Sequence, residues 1–217
     1  MARGEGARRS SADALRKPLS DQEKADFEAY LSLILARLGL DQDAPGAQDT
    51  HRRYLAALIS ATAGYDGDPK LTTSFPLEQV AEGEKSFSQV VEGPIAFSAI
   101  CEHHALPFFG NVHIGYLPAG RVIGISKMTR VVRLFSRRFT LQERLTEEIA
   151  DTIIRATGSN SVGVLVSANH LCTRIQGVHE THTGTNTTVW KGYYASDPDM
   201  RSEFLSLCGI GHTLPQG

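Results

Sequence analysis

The first third of the chain carries apolar residues at helical spacing, which predicts two helices. Ser20 and Glu23 have the spacing of a capping box, so the first helix is expected to begin after Ser20. Gly39 is expected to end it, because glycine readily takes the left-handed conformation found past helix ends. A second helix is predicted over residues 50–63. The apolar stripes are Phe27, Leu31, Ile34, Leu35 and Leu38 in the first helix and Tyr54, Leu55, Leu58 and Ile59 in the second.

From Phe87 onward the apolar period changes to two, which indicates β-strands. The predicted strands cover residues 88–92, 95–98, 111–117, 122–125, 162–175 and 181–189. Residues 118–120, with the sequence Pro-Ala-Gly, indicate a hairpin turn between the strands on either side of them. Helices are predicted at 127–135 and 141–157. This order of elements favours an α+β fold with an antiparallel sheet.

Composition and charge are those of an ordinary globular protein and give no indication of nucleic-acid or membrane binding. The 217 residues are 41% hydrophobic, and the net charge is −2. Three cysteines are too few for a disulfide framework in a chain of this length, so a cytoplasmic location is expected. No apolar run approaches the roughly 18 residues of a membrane span, and the N-terminus lacks an apolar signal core.

These patterns divide the chain into four segments. Residues 1–18 are rich in Gly, Ala, Ser and Arg and are expected to form a disordered basic tail, because they bury too little apolar surface. Residues 19–66 form the predicted helical segment. Residues 67–208 form the predicted α+β domain, and residues 209–217 are expected to be a flexible C-terminus.

Thiol and imidazole side chains gather in two short stretches, Cys101-Glu102-His103-His104 and His170-Leu171-Cys172. The Cys-x-x-His spacing lets a tight turn direct Cys101 and His104 at one ion, and Cys172 completes a Cys2His set. Three protein ligands leave one position open, which is typical of catalytic zinc. The alternative is that the histidines are ordinary hydrogen-bonded residues, since Cys-x-x-His alone also occurs by chance.

The residues before His170 favour the metal interpretation. Alternating apolar residues over 162–168 predict a strand on which side chains two apart share a face. If the strand continues unbroken to Cys172, His170 and Cys172 emerge from it on the same face.

Six motifs together resemble the GTP cyclohydrolase I family, over about residues 20–207 and in compatible spacing. They are Cys101-Glu102-His103-His104, Pro107-Phe108-Phe109-Gly110, Tyr116-Leu117-Pro118, Gly124-Ile125-Ser126-Lys127, Gln142-Glu143-Arg144-Leu145-Thr146 and His170-Leu171-Cys172. Six motifs in register are far more specific than any one of them. The resemblance implies a tunnelling fold for the catalytic domain at 67–208, with helices on one face of the sheet. It also implies a homodecamer of two pentamers with active sites between subunits.

The activity that the resemblance implies is zinc-dependent hydrolysis of GTP at C8 of its guanine. The imidazole ring opens, C8 leaves as formate, and a dihydropterin, 7,8-dihydroneopterin triphosphate, is formed. Zn2+ held by Cys101, His104 and Cys172 would lower the pKa of a bound water to about 7. His103 and His170 match the family's proton-transfer residues, and an imidazole pKa near 6.5 suits that role.

Phosphate-binding residues are expected where a strand leads into a helix. Lys127 and Arg130 open that predicted helix and share a face, and the free backbone N–H groups there favour an anion. A solvated basic helix end would look similar in sequence. The resemblance implies that Ser126 assists the later sugar rearrangement and that Arg53 also binds phosphate.

Guanine recognition is expected from Gln142 and Glu143, which match the residues that accept hydrogen bonds from the guanine N–H edge in the family. Glu143 also stands three residues after Thr140. The alternative is therefore a capping box formed by Thr140 and Glu143.

Two positions depart from the family's pattern. This chain has Ala56 where the family carries a lysine that reaches a neighbouring subunit's triphosphate, and Gln176 where the family has an arginine. At about 1.5–3 kcal/mol for each charge-assisted contact, the two missing cations amount to roughly 3–6 kcal/mol. A guanine nucleotide or nucleoside with fewer phosphates is therefore an alternative substrate. His179 and His182 lie near the second departure, and the sequence assigns them no role.

Two further alternatives stay open at the level of sequence. A non-catalytic zinc-stabilised oligomer would keep the metal ligands but has no need of His103, His170 and Glu143 together. Other relatives of the tunnelling fold match less well, because pterin synthases resemble three-histidine zinc sites and deazaguanine nitrile reductases lack the zinc triad. Formate release from GTP distinguishes these alternatives.

Overall fold

The computed structural model describes residues 17–72, 75–76, 89–119, 121–175 and 184–210. The chain divides into two units, one ending at Gly67 and the other beginning at Asp68. Some predictions lie outside the described residues, namely those for the tail up to residue 16, for positions 176, 179 and 182, and for residues after 210. Within the described ranges, no helix is long and apolar enough to cross a membrane.

The first unit contains the two predicted helices, which pack against each other. Helix α1 (Asp21–Arg37) begins with the predicted capping box. The Ser20 hydroxyl accepts a hydrogen bond from the Glu23 amide at 3.2 Å, and the Glu23 carboxylate accepts one from the Ser20 amide at 2.8 Å. Gly39 follows the helix with a φ of 99°, as expected for a terminating glycine. Helix α2 covers Thr50–Ala61 and ends before the predicted residue 63.

The predicted buried stripe of α2 is wrong at most positions. Leu55 is buried, whereas Tyr54 is 47% exposed and Leu58 and Ile59 are half-buried. In the described part of the chain, no residue of α1 is buried. Two helices have one mutual contact face, so they cannot enclose a wide apolar stripe within their own unit.

The second unit is built on a sheet with the strand order β5-β2-β3-β6-β7 among the described residues. The strands are β2 (Val90–Cys101), β3 (Pro107–Tyr116), β5 (Phe139–Thr140), β6 (Val162–His170) and β7 (Thr185–Lys191). Neighbouring strands pair antiparallel except β2 and β5, which are parallel. The predicted α+β class is therefore confirmed. The predicted strands at 88–92 and 95–98 belong to the single strand β2, because a register shift between Glu92 and Ile95 bends the strand without ending it.

The predicted hairpin at 118–120 is wrong. Strand β3 lies between β2 and β6, so both of its edges are already paired. The chain beyond it forms β4 (Arg121–Val122), which pairs with β1 (Phe75–Pro76) in a separate two-stranded sheet. Helix α3 (Ile125–Ser136) then begins at the residue where the predicted strand was expected to end.

The two long helices of this unit, α3 and α4 (Gln142–Thr157), pack on one face of the sheet and confirm the predicted pair. Met128 of α3 and Ile149 of α4 are fully buried there. Val162, Val164 and Val166 of β6 point to the same core, as the alternating pattern predicts.

Short helices near the C-terminus pack on the opposite face of the sheet. They are α6 (Tyr193–Ser196) and α7 (Pro198–Leu207). Tyr194 and Phe204 are fully buried there against Leu165. A Cβ atom on Gly115 would lie 2.7 Å from the Phe204 ring, and one on Gly163 would lie 2.9 Å from the Tyr194 ring. The close approach of the two rings therefore requires glycine at these two sheet positions.

Candidate active site

Cys101 is the last residue of β2 and is 4% exposed. The turn that follows is closed by its own backbone: the Cys101 amide donates to the Leu106 carbonyl at 2.9 Å, and the Ala105 amide donates to the Cys101 carbonyl at 2.8 Å. Ala105 has a φ of 54°, in the left-handed region that costs a non-glycine residue roughly 1 kcal/mol or more. The turn therefore has a defined conformation that sets the direction of the Cys101 side chain.

Strand β6 ends at His170, and Cys172 lies on the short helix α5 (Leu171–Ile175). The prediction of a strand reaching residue 175 is therefore wrong. His170 pairs with Phe108, and continuing the register would place the next residue of β6 opposite Pro107. Proline has no amide hydrogen, so the ladder cannot extend. His170 and Cys172 are thus brought together by the turn into α5 and not by strand parity.

The structure brings Cys101, His170 and Cys172 together, with ligand atoms that all lie within 4.8 Å of one another. Burial raises the pKa of the Cys172 thiol, and the neighbouring Cys101 raises it further. Two thiolates and an imidazole are donors that zinc prefers, and a cation between them would offset the repulsion of the thiolates. The residues present therefore fit a divalent metal ion such as zinc.

His104, the predicted third ligand, does not belong to that group and stays a prediction. His103 and His104 are exposed on the turn after Cys101, with ring centroids 6.1 Å apart. Glu102 on the same turn forms a bidentate ion pair with Arg144 of α4, with one of the two contacts at 2.9 Å. The hydrogen bond from Arg144 is the main reason that the pKa of Glu102 is lowered. This ion pair therefore links the turn to α4.

The His170 ring is partly buried and closely packed. It stacks on the Phe108 ring with a centroid separation of 4.6 Å and an interplanar angle of 3°. Burial lowers the pKa of His170, and the negative charge of Glu143 acts in the opposite direction. The net lowering leaves the imidazole largely neutral at pH 7, so His170 can accept a proton.

Gln142 and Glu143, which were both predicted to contact guanine, differ in accessibility. Gln142 is 2% exposed, whereas Glu143 is exposed in the first turn of α4. The alternative capping box does not form, because the residue that caps α4 is Leu141 and the Thr140 hydroxyl donates to the Leu141 carbonyl at 3.2 Å. The Glu143 carboxylate is therefore the more accessible of the two to a ligand.

Lys127 and Arg130 lie with Ser126 on the first turns of α3 and contact the segment that opens the second unit. Arg130 donates to the Asp68 carboxylate at 3.0 Å, and the Lys127 ammonium group donates to the Lys70 carbonyl. Burial alone would raise the pKa of Asp68, but hydrogen bonds from the Lys70 amide and from Arg130 outweigh it and lower the pKa. Asp68 was not predicted as a site residue, because an Asp-Pro pair in sequence indicates only a turn.

Arg53, the other predicted phosphate ligand, lies on α2 in the first unit. Its guanidinium donates to the Gly46 carbonyl and to the Thr50 hydroxyl, the latter at 3.3 Å. The side chain is exposed within that unit.

A mixed α+β unit holds two thiols and an imidazole at the end of its sheet, and exposed histidines follow directly on the adjoining turn. This combination is typical of an enzyme that uses a metal bound by sulfur and nitrogen. The model of the family described as GTP cyclohydrolase I matches residues 27–209, and the chain belongs to this family as a GTP cyclohydrolase I-like hydrolase. The resemblance seen in the six motifs is thereby confirmed.

Curated relatives match over nearly their whole length. The GTP cyclohydrolase 1 of Coxiella burnetii (strain Dugway 5J108-111) is 39% identical over 178 residues, which cover 82% of this chain and 95% of the relative. That of Campylobacter lari is 36% identical over 186 residues, covering 86% and 95%. That of Alkalilimnicola ehrlichii is 39% identical over 185 residues, covering 83% and 96%. Among solved structures, an apo archaeosine synthase QueF-like protein has a TM-score of 0.38 and 17% identity over 50% of this chain and 96% of that one, a likeness that carries no argument about function.

Proposed function

We propose that this protein opens the imidazole ring of GTP at C8, releases C8 as formate and forms 7,8-dihydroneopterin triphosphate, with net consumption of water. Family membership supports the cyclohydrolase activity. The observation that carries the proposal is the cluster of Cys101, His170 and Cys172, with ligand atoms within 4.8 Å of one another. Ring hydrolysis at neutral pH needs a source of hydroxide and a proton-transfer group at one place. The two thiols would hold the metal that supplies the first, and His170 beside them can serve as the second.

The metal in this proposal is Zn2+, held by the thiolates of Cys101 and Cys172 and by the imidazole of His104. Sulfur and nitrogen donors suit zinc, whereas Mg2+ and Ca2+ prefer oxygen. When bound in an open three-ligand site, zinc lowers the pKa of water and supplies hydroxide at neutral pH. The family resemblance supports His104 as the third ligand and leaves His170, beside the two sulfurs, for proton transfer.

The other residues bind the substrate and move protons. His170 is neutral at pH 7 because burial lowers its pKa, so it can act as a base and return the proton later. His103 is the second proton-transfer residue, and Ser126 assists the sugar rearrangement. The exposed Glu143 carboxylate accepts hydrogen bonds from the guanine N–H edge, which gives selectivity for guanine.

Lys127 and Arg130 bind phosphate in this proposal, and their surroundings favour a second candidate substrate with fewer phosphates. Arg130 already pairs with Asp68 at 3.0 Å, which neutralises part of its charge. The chain also has Ala56 and Gln176 where the family carries cations. GDP, GMP or guanosine would need fewer positive charges than GTP does.

We further propose that the active species is a homo-oligomer, a decamer of two pentamers, in which Arg53 serves a site shared between subunits. Light scattering combined with activity measurements on the same fractions tests this. An active monomer would contradict it.

The deciding experiment supplies zinc-loaded protein with GTP, GDP, GMP, guanosine and guanine and measures formate and pterin fluorescence. We expect GTP to give formate and a fluorescent pterin after oxidation. A kcat/KM for GTP tenfold above that of every shorter compound would establish GTP as the substrate, and the reverse order would favour the second candidate. Formate release from none of the five would refute the proposed function and leave a non-catalytic zinc-stabilised oligomer.

A further inference from the structure

The side-chain amide of Gln142 is enclosed by three hydrogen-bonding partners. Its nitrogen donates to the Val166 carbonyl at 3.0 Å and to the Thr185 carbonyl at 2.9 Å. An amide nitrogen has two hydrogens, so both are used. Its oxygen lies 2.8 Å from the Nε2 atom of His170.

The orientation of this amide is fixed by the two backbone carbonyls. If the amide were turned around, its oxygen would face the carbonyl oxygens of Val166 and Thr185, and two buried hydrogen bonds would be lost. These carbonyls belong to the paired strands β6 and β7, so the sheet itself holds the amide in place.

The fixed amide determines the tautomer of the neighbouring imidazole. The Gln142 oxygen can only accept, so Nε2 of His170 must be the donor. A neutral imidazole carries one N–H group, and Nδ1 therefore keeps the lone pair. The Phe108 ring stacks on the His170 ring and fixes its plane, and the 2.8 Å contact places Nε2 on the side of the amide.

We propose that Gln142 is a positioning residue that holds His170 as the Nε2–H tautomer and makes Nδ1 the nitrogen that acts at the site. This replaces its predicted role in guanine recognition. Both amide hydrogens and the amide oxygen are engaged inside the protein, and the residue is 2% exposed. Recognition of the guanine edge then falls to the exposed carboxylate of Glu143. The catalytic consequence rests on the proposed function, whereas the tautomer is a property of the chain itself.

The tautomer is tested directly by NMR on full-length, zinc-loaded protein labelled with 15N-histidine. Long-range 1H–15N spectra distinguish a protonated from an unprotonated ring nitrogen, and loss of a signal in His170→Asn assigns it. We expect Nε2 to be protonated and Nδ1 to be unprotonated in the unmodified protein, and the preference to be lost in Gln142→Met. A protonated Nδ1 with an unprotonated Nε2 in the unmodified protein would overturn the proposal, even if Gln142→Met fails to fold.

Kinetics then separate positioning from recognition. Gln142→Met should lower kcat for formate release about 10- to 100-fold, the usual effect of removing a group that orients an active-site histidine, and keep KM for GTP within about twofold. Its preference for GTP over inosine triphosphate, which lacks the 2-amino group, should not change. Glu143→Gln should instead raise KM and relax that preference. Gln89→Met is the matched control. Gln89 accepts a hydrogen bond from the Tyr194 hydroxyl at 2.8 Å, and Tyr194 is buried on the opposite face of the sheet. The kcat of this variant should stay near that of the unmodified protein.

A raised KM and a changed preference in Gln142→Met would assign Gln142 to guanine recognition and refute the positioning role. Failure of the proposed function would look different. In that case the unmodified protein would release no formate from any nucleotide, while the NMR result for His170 would still stand or fall independently.

Discussion

The ion pair between Glu102 and Arg144 holds the turn that carries His103 and His104, and we expect its removal to weaken zinc binding and turnover together. Arg144 donates through both terminal nitrogens to the two carboxylate oxygens of Glu102. On the same turn, the Glu102 amide donates to the Thr140 carbonyl at 3.2 Å. Removing the side-chain pair leaves this backbone bond and allows the turn to move.

The size of the effect follows from the geometry and the exposure of the pair. The Arg144 side chain is 42% exposed and that of Glu102 is 30% exposed, so solvent screens the charges. Hydrogen bonds to charged groups contribute about 1.5–3 kcal/mol, and exposed ion pairs about 0.2–1 kcal/mol. A bidentate but partly exposed pair lies between these ranges, at about 1–1.5 kcal/mol, which corresponds to a factor of about 5 to 13 in an equilibrium constant.

A double-mutant cycle with Glu102→Gln, Arg144→Met and the double variant isolates the pair from the other contacts of Arg144. Zinc affinity is measured by competition with a chelator, and the free energy of unfolding by denaturant titration. We expect a coupling energy of about 1 kcal/mol. In each single variant kcat should fall about fivefold, which corresponds to a similar free energy. A coupling energy below about 0.3 kcal/mol, with full zinc affinity in both single variants, would refute the reasoning.

The same pair predicts a dependence on pH. The pKa of Glu102 is lowered from its ordinary value of 4.5, mainly by Arg144. The stabilisation is therefore fully present above pH 4.5 and is lost as the pH falls through the lower pKa of the folded state. The unmodified protein and Glu102→Gln should differ in free energy of unfolding at pH 7 and converge in acid. A difference that persists unchanged below the folded-state pKa of Glu102 would contradict the stabilising role of this ion pair.

Three further predictions concern the substrate and the sheet. Asp68→Asn should lower KM for GTP about two- to fivefold with little change in kcat, because the carboxylate no longer competes with phosphate for the paired arginine, and a raised KM would contradict this. Ala56→Lys combined with Gln176→Arg should raise kcat/KM for GTP and leave kcat/KM for GMP unchanged, because only the distal phosphates gain contacts. Equal gains for GTP and GMP would show that the two cations do not act through the distal phosphates. Gly115→Ala should lower the free energy of unfolding by about 1–3 kcal/mol, because its Cβ would overlap the Phe204 ring and the Tyr194 hydroxyl. Gly184→Ala, whose Cβ would meet its nearest atom at 3.8 Å, should change it by less than about 0.5 kcal/mol.

The sequence predicts the long helices better than the strand connections, for physical reasons. Helices α3 and α4 bury one regular stripe each, and that stripe is visible as a period in the sequence. Strand β3 pairs with β6, and even the nearest paired residues, Tyr116 and Val162, are 46 positions apart in the chain. Local turn residues therefore carry no information about this pairing. The extent of β6 was set by Pro107 on the neighbouring strand, a residue that the pattern of β6 itself cannot reveal.

The candidate site was predictable where it depends on residue type and motif order. Cys101, His170 and Cys172 were singled out from sequence, and the structure brings these three together. The environment of each group was not predictable, because it depends on partners from distant segments. Asp68 reaches Arg130 across 62 positions, and the burial of the Gln142 amide depends on carbonyls from two different strands.

Cys101 and Cys172 are proposed to hold a catalytic zinc ion beside a proton-transferring His170. The most direct test measures zinc content and formate release in Cys172→Ala, His104→Ala and His170→Ala, with folding checked by circular dichroism. We predict that the first two variants lose zinc and activity together, and that His170→Ala retains zinc and loses turnover. Full zinc occupancy in Cys172→Ala would contradict the metal site, and loss of zinc in His170→Ala with full zinc in His104→Ala would contradict the assigned role of His170.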